Sequence, residues 1–125
     1  MNLLIIAIGG AIGTAARHGV NLLCARVLER PVPYATAAVN LIGAAVIGLL
    51  AGLIASGRVQ LEPPLRAFVF VGLLGGFTTF SSYMLDTLTL TRGGEFGIAF
   101  ANVAGQTALG FAAVWAGYAA AVALR

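Results

Sequence analysis

The chain has 125 residues, of which 60% are hydrophobic and only 9% charged, with a mean hydropathy of +0.99. A water-soluble domain carries about 25% charged residues, so this composition excludes a soluble globular fold. A formal net charge of +3 and an isoelectric point near 9.8 invite a nucleic-acid reading. The basic residues are all arginines, however, and they lie mostly in short loops, as membrane flanks do, so no nucleic-acid partner is expected.

The first segment, about residues 2–25, is apolar apart from Arg17. It opens "MNLLIIAIGG" with no basic side chain, and so reads as a retained helix and not as a cleaved signal peptide. Arg17 has two readings: it snorkels to the nearer interface, or it is a fixed positive charge in a watery vestibule that attracts anions. Cys24 is the only cysteine, which leaves no disulfide within the chain and gives it a packing role.

The second segment, about 34–56, carries no charge, and it sets Thr36 and Asn40 four apart on one helix face. The third, about 67–91, holds "GLLGGFTTFSSYM" at 72–84. Gly75 and Gly76 are expected to interrupt this helix near its middle, which a membrane tolerates only where the backbone is buried in protein or lines a cavity. Unwinding frees carbonyl oxygens, hard ligands suited to a small alkali cation. Phe80 and Tyr83 follow the break, three apart and on one face, and ring edges carry the positive part of the aromatic quadrupole. The fourth segment, about 96–124, sets Asn102 and Gln106 four apart, with Gly110 after them. Each segment is near the roughly 20 residues that cross about 30 Å of hydrocarbon. A single all-α transmembrane domain spanning residues 1–125 is expected, with four membrane helices.

Four spans put both termini and the second loop on one side, with Arg58, Arg66 and Arg125. The first and third loops share the other side, with Arg26, Arg30 and Arg92. Three arginines against three leave the positive-inside rule undecided. Either the first helix settles the orientation alone, or the chain inserts both ways and opposed copies pair as an antiparallel dimer. Small residues at four-residue spacing, among them Gly9 with Gly13, Ala44 with Gly48 and Gly52, and Gly97 with Ala101 and Gly105, let helices approach closely.

No carboxylate sits at the centre of a span; Asp86 lies near one end of the third and Glu29 is in a loop. A proton-coupled exporter needs such a group as a relay, so a small four-helix dual-topology multidrug exporter is the weaker alternative, beside a noncatalytic assembly subunit. The neutral amides and hydroxyls of Thr36, Asn40, Asn102 and Gln106 suit the path of an anion that binds weakly enough to leave.

The segments "GGAIGTAARH" (9–18), "ATAAVNLIG" (35–43) and above all "GLLGGFTTFSSY" (72–83) resemble the signature segments of the CrcB/Fluc fluoride channels, across all four helices. The resemblance implies an antiparallel, dual-topology homodimer in the cell inner membrane, surrounded by lipid. It would pass fluoride outward passively, without catalysis, and hold a structural sodium ion at its centre. By the same resemblance, the backbone carbonyls of Gly75 and Thr78 from both subunits are the sodium ligands. Phe80 and Tyr83 line the fluoride path, Asn40 is the pore amide, and Thr79, Ser81 and Ser82 offer hydroxyls. Arg17 matches the arginine of the first motif. The chain departs from the family pattern at Tyr83, where a second phenylalanine is usual, and at Asn102 and Gln106, where tyrosine and serine are expected.

Overall fold

The computed structural model describes residues 2–124, and the chain is helical almost throughout. Helix α1 covers Asn2–Val27 and α2 covers Tyr34–Ala55. A short α3, Pro63–Arg66, leads into a π-helical stretch, Ala67–Leu73, and then α4, Leu74–Phe77. Helix α5 covers Phe80–Arg92 and α6 covers Phe96–Ala123. Four stretches are long and apolar enough to cross a membrane: α1, α2, Pro63–Arg92 and α6. Against the sequence reading, α1 runs two residues further and the third span starts four residues earlier. The earlier start follows from Pro63 and Pro64, which begin a helix without loss because the first amide protons have no helical partner.

Two helix ends are set by glycine. Gly57 and Gly94 have φ of 77° and 79°, conformations that only glycine adopts freely. Behind Gly57 the amide of Arg58 reaches Leu53 O at 3.0 Å and that of Gly57 reaches Ile54 O at 3.1 Å. Behind Gly94 the amide of Glu95 reaches Leu90 O at 2.9 Å and that of Gly94 reaches Thr91 O at 3.1 Å. Both are Schellman closures, which satisfy the last helical carbonyls and turn the chain back.

The helices pack as two pairs. Helix α1 lies against the first half of the third span, and α2 lies along α6. In the first pair the backbones all but touch: a Cβ at Gly9 would stand 2.7 Å from Phe68 O, one at Gly72 2.7 Å from Ile6 O, and one at Gly76 2.6 Å from Gly10 O. Gly13 meets the Leu73 carbonyl in the same way. Two glycines four apart on each helix thus face each other, the arrangement by which membrane helices gain dispersion contact without a hydrophobic drive. In the second pair Gly48 abuts the Val114 carbonyl, Gly52 abuts Tyr118 O and Ala121 Cβ, and Gly117 abuts the Ala45 carbonyl.

The stripe Gly97–Ala101–Gly105 does not join this packing. Nothing lies within 4 Å of a Cβ at Gly97 or Gly105. Helix α6 instead presents Ala99, Asn102 and Gln106 to the interior, and the stripe opens on a groove of about 400 Å³ with Pro33, Tyr34 and Leu41 on its far wall. On the surface, Arg30 Nη2 donates to the Glu95 carboxylate at 2.6 Å, clipping the first loop to the third, and this pairing raises the Arg30 pKa.

Candidate functional site

The third span leaves the helix at two residues. Thr78 has φ −87° and ψ 159°, and Thr79 has φ −153° and ψ 122°, both extended. The sequence reading placed the break at Gly75 and Gly76, but these lie inside α4. Gly76 is there to let α1 approach, and glycine at that contact breaks nothing by itself.

The break is made by Asn40. The Thr79 amide donates to Asn40 Oδ1 at 2.9 Å, and Asn40 Nδ2 donates back to the Thr79 carbonyl at 3.1 Å. One carboxamide from α2 therefore pairs both polar groups of a single residue, as a neighbouring β-strand does. In a dry interior each group left unpaired costs about 1–3 kcal/mol, so this pair of hydrogen bonds decides whether the span can open. Gly43, one turn along α2, brings Asn40's helix close, since its missing Cβ is the space that Thr78 Cγ2 occupies. After the break, Thr79 Oγ1 accepts from the Ser82 amide at 3.2 Å and caps α5, with Ser81 Oγ 3.4 Å away.

Opening the helix redistributes its carbonyls. Leu74 O still receives the Thr78 amide at 3.1 Å and its hydroxyl at 3.0 Å. Gly76 O is taken by Arg17 Nε at 3.1 Å. Arg17 is half-buried, and its guanidinium is tied to the broken span and does not stand clear of the protein. The carbonyls of Gly75, Phe77 and Thr78 receive no hydrogen bond from the described residues. Gly75 and Thr78 line a hollow of about 270 Å³ with Asn40, Gly43, Phe70 and Leu74. Peptide oxygens of this kind are hard donors and fit a small alkali cation, though one chain offers too few to complete its shell.

From Asn40 a chain of amides runs through the interior. Its second Nδ2 proton goes to Gln106 Oε1 at 2.9 Å, Gln106 Nε2 donates to Asn102 Oδ1 at 2.7 Å, and Asn102 Nδ2 donates to Thr87 Oγ1 at 3.0 Å. Thr87 in turn donates to the Tyr83 carbonyl at 2.9 Å, returning the chain to α5. Asn102 and Gln106 are buried, and no buried side-chain polar atom among the described residues lacks a partner. Both protons of Asn40 are committed, one to the Thr79 carbonyl and one to Gln106 Oε1. Gln106 and Asn102 each keep one amide proton without a partner among the described residues. Thr36 is buried beside Asp86 of α5.

Phe80 and Tyr83 meet as expected from their spacing, with centroids 5.7 Å apart and planes at 82°, edge to face. They differ in setting: Phe80 is 72% exposed and Tyr83 only 7%. The Tyr83 hydroxyl donates to Val103 O at 2.7 Å and lies 3.2 Å from Thr107 Oγ1, so it locks α5 to α6. Thr87 and Thr107 were not singled out from sequence. Thr87 stands one turn beyond Tyr83, a spacing that was visible; Thr107 gave no signal.

Fold and site together define a small four-span helical membrane protein whose third span is opened at mid-depth by a neutral amide. Residues 4–118 match the family described as CrcB-like protein, Camphor Resistance (CrcB), and the chain belongs to that family. It is 41% identical over 119 residues to a protein of Nitrobacter hamburgensis named fluoride-specific ion channel FluC 2, covering 95% of each chain. Its identity to the fluoride-specific ion channel FluC of Opitutus terrae is 45%, over 98% of this chain and 93% of the relative. For the protein of that name from Paracoccus denitrificans it is 48%, over 90% and 87%.

Removing the Asn40 amide orphans the Thr79 amide, the Thr79 carbonyl and Gln106 Oε1 together. Asn40→Ala is expected to destabilise the fold by roughly 3 kcal/mol or more, read as a lower unfolding temperature in detergent, and to speed hydrogen exchange at the Thr79 amide. Unchanged exchange at Thr79 would show that the break stands without Asn40.

Proposed function

We propose that this protein is a fluoride channel that lets fluoride leave the cell passively across the inner membrane. The observation that carries this reading is the edge-on pair Phe80–Tyr83, set directly after a mid-span opening. Fluoride is small and strongly hydrated, and taking it bare into hydrocarbon costs on the order of tens of kcal/mol. A route must replace water by partial positive charge a step at a time. Ring edges offer such charge, and the exposed Phe80 holds its ring out where an ion can pass. Hydroxyls of Thr79, Ser81 and Ser82, the Asn40 amide and the unpaired amide proton of Asn102 offer the rest. The names of the relatives support the choice of halide.

The reading extends to assembly. Two copies pair antiparallel, which the balanced arginines permit, and the carbonyls of Gly75 and Thr78 from both copies hold one sodium ion between them. That ion supplies fixed positive charge at the seam and neutralises oxygens that hydrocarbon would leave bare. Arg17, bonded to Gly76 O, holds the neighbouring peptide in place.

Purified protein in liposomes is expected to release fluoride, followed by an ion-selective electrode, and to retain chloride. Phe80→Ile should lower fluoride efflux about tenfold, the worth of one lost edge contact, while the protein still folds; undiminished efflux removes the rings from the route. Replacing sodium with N-methylglucamine is expected to lower both the unfolding temperature and the flux. Equal behaviour in potassium alone would argue against a dedicated sodium site. For topology, Gln60→Cys in a Cys24→Ser background should be labelled to about half by an impermeant maleimide added outside sealed vesicles. Complete or absent labelling would mean that every copy inserts one way.

A further inference from the structure

Asn40 has two amide protons, and the break uses one of them, on the Thr79 carbonyl. The other is held by Gln106 Oε1 at 2.9 Å. Gln106 is 9% exposed and is itself aimed: its Nε2 donates to Asn102 Oδ1 at 2.7 Å, which turns the oxygen end towards Asn40. A neutral amide oxygen therefore sits where the Asn40 proton would meet an anion. A serine side chain ends two bonds short of the glutamine oxygen, so Gln106→Ser withdraws that acceptor.

On the channel reading above, we infer that Gln106 is an internal competitor of the permeating anion, occupying the acceptor position on Asn40 until an ion displaces it. The exchange is feasible in both directions. A hydrogen bond to a charged acceptor is stronger than one to a neutral amide, so an arriving anion takes over as acceptor while the proton stays on Asn40. Gln106 waits close by, and its return helps the anion to leave, the weak binding that conduction requires. There is room for the movement. Gln106 lines the groove of about 400 Å³ beside Gly105, where nothing lies within 4 Å of a Cβ position. Gln106 is thus a residue that sets anion affinity through Asn40 and is not itself the principal ion ligand.

The test is fluoride efflux from proteoliposomes over a series of fluoride concentrations, for the native chain, Gln106→Ser and Gln106→Met. Losing the competitor should lower the half-saturating concentration roughly three- to tenfold, the factor that one neutral hydrogen bond is worth. Maximal flux should stay level or fall, because a tighter ion leaves more slowly. Damage to packing alone would lower maximal flux and leave half-saturation where it was, and that result overturns the inference, as does a raised half-saturation. Either variant leaves Asn102 Oδ1 without its donor, but a serine hydroxyl satisfies itself on the backbone carbonyl four residues back; if Gln106→Met does not fold, Gln106→Ser decides. A native chain that passes no fluoride overturns the channel reading and this inference with it. A conducting native chain whose variants share its half-saturation overturns the inference alone.

Discussion

Everything distinctive about this structure depends on one residue being paired twice. In hydrocarbon an amide proton or a carbonyl without a partner is so costly that membrane segments are driven to continuous helix. Thr79 escapes because the carboxamide of Asn40 takes its N–H and its C=O together, at 2.9 and 3.1 Å. Once those two groups are satisfied from outside, the chain can extend for two residues and start a new helix. The cap on α5, the released carbonyls of Gly75 and Thr78, and the outward position of Phe80 all follow. Without that amide, continuous helix would close those carbonyls again.

The glycines make this pairing reachable. A carboxamide is short, and Asn40 meets the Thr79 backbone only because Gly43 lets α2 come up against Thr78. On the opposite side Gly72 and Gly76 press against α1 through its own Gly9 and Gly10. The broken span is clamped between two helices at backbone distance, which limits how far the extended residues can relax. The winding before the break is also irregular, with the π-helical stretch Ala67–Leu73, a form frequent at functional sites. Close packing and local irregularity here support one another: a loosely held span would recover helical hydrogen bonds.

The four spans were legible because composition alone rules out water as the solvent, and Gly57 and Gly94 mark two turns as they mark them in any helical protein. Asn40 was visible as an amide in a charge-free segment, but its partner was not, since a backbone N–H carries no sequence signal. That is why the break was assigned to the adjacent glycines: Gly-Gly reads as a breaker in isolation, whereas Gly76 serves helix approach. The polar stripe Asn102–Gln106 was legible as a stripe, and its spacing is now explained by the direct bond between the two side chains. Thr87 hid in plain view. Threonines along α5 return their protons one turn back, as Thr89 does to Leu85 and Thr91 to Thr87, and only Thr87 also receives an amide from another helix.

The same physics bears on how many copies act together. A single chain leaves Gly75 exposed, the carbonyls of Gly75 and Thr78 unpaired by the described residues, and Phe80 72% exposed. Lipid would accept the ring but not the oxygens. Water in a vestibule, a cation or a second chain must meet them, and the proposed antiparallel pair with a shared sodium ion meets them with the last two together. The amide relay then explains why no buried charge is needed to hold the site. Asn40, Gln106 and Asn102 form a directed series in which each oxygen accepts from a neighbouring amide proton. Such a series fixes orientation at far lower cost than an ion pair in a dry interior. The relay adds no net charge of its own to the interior.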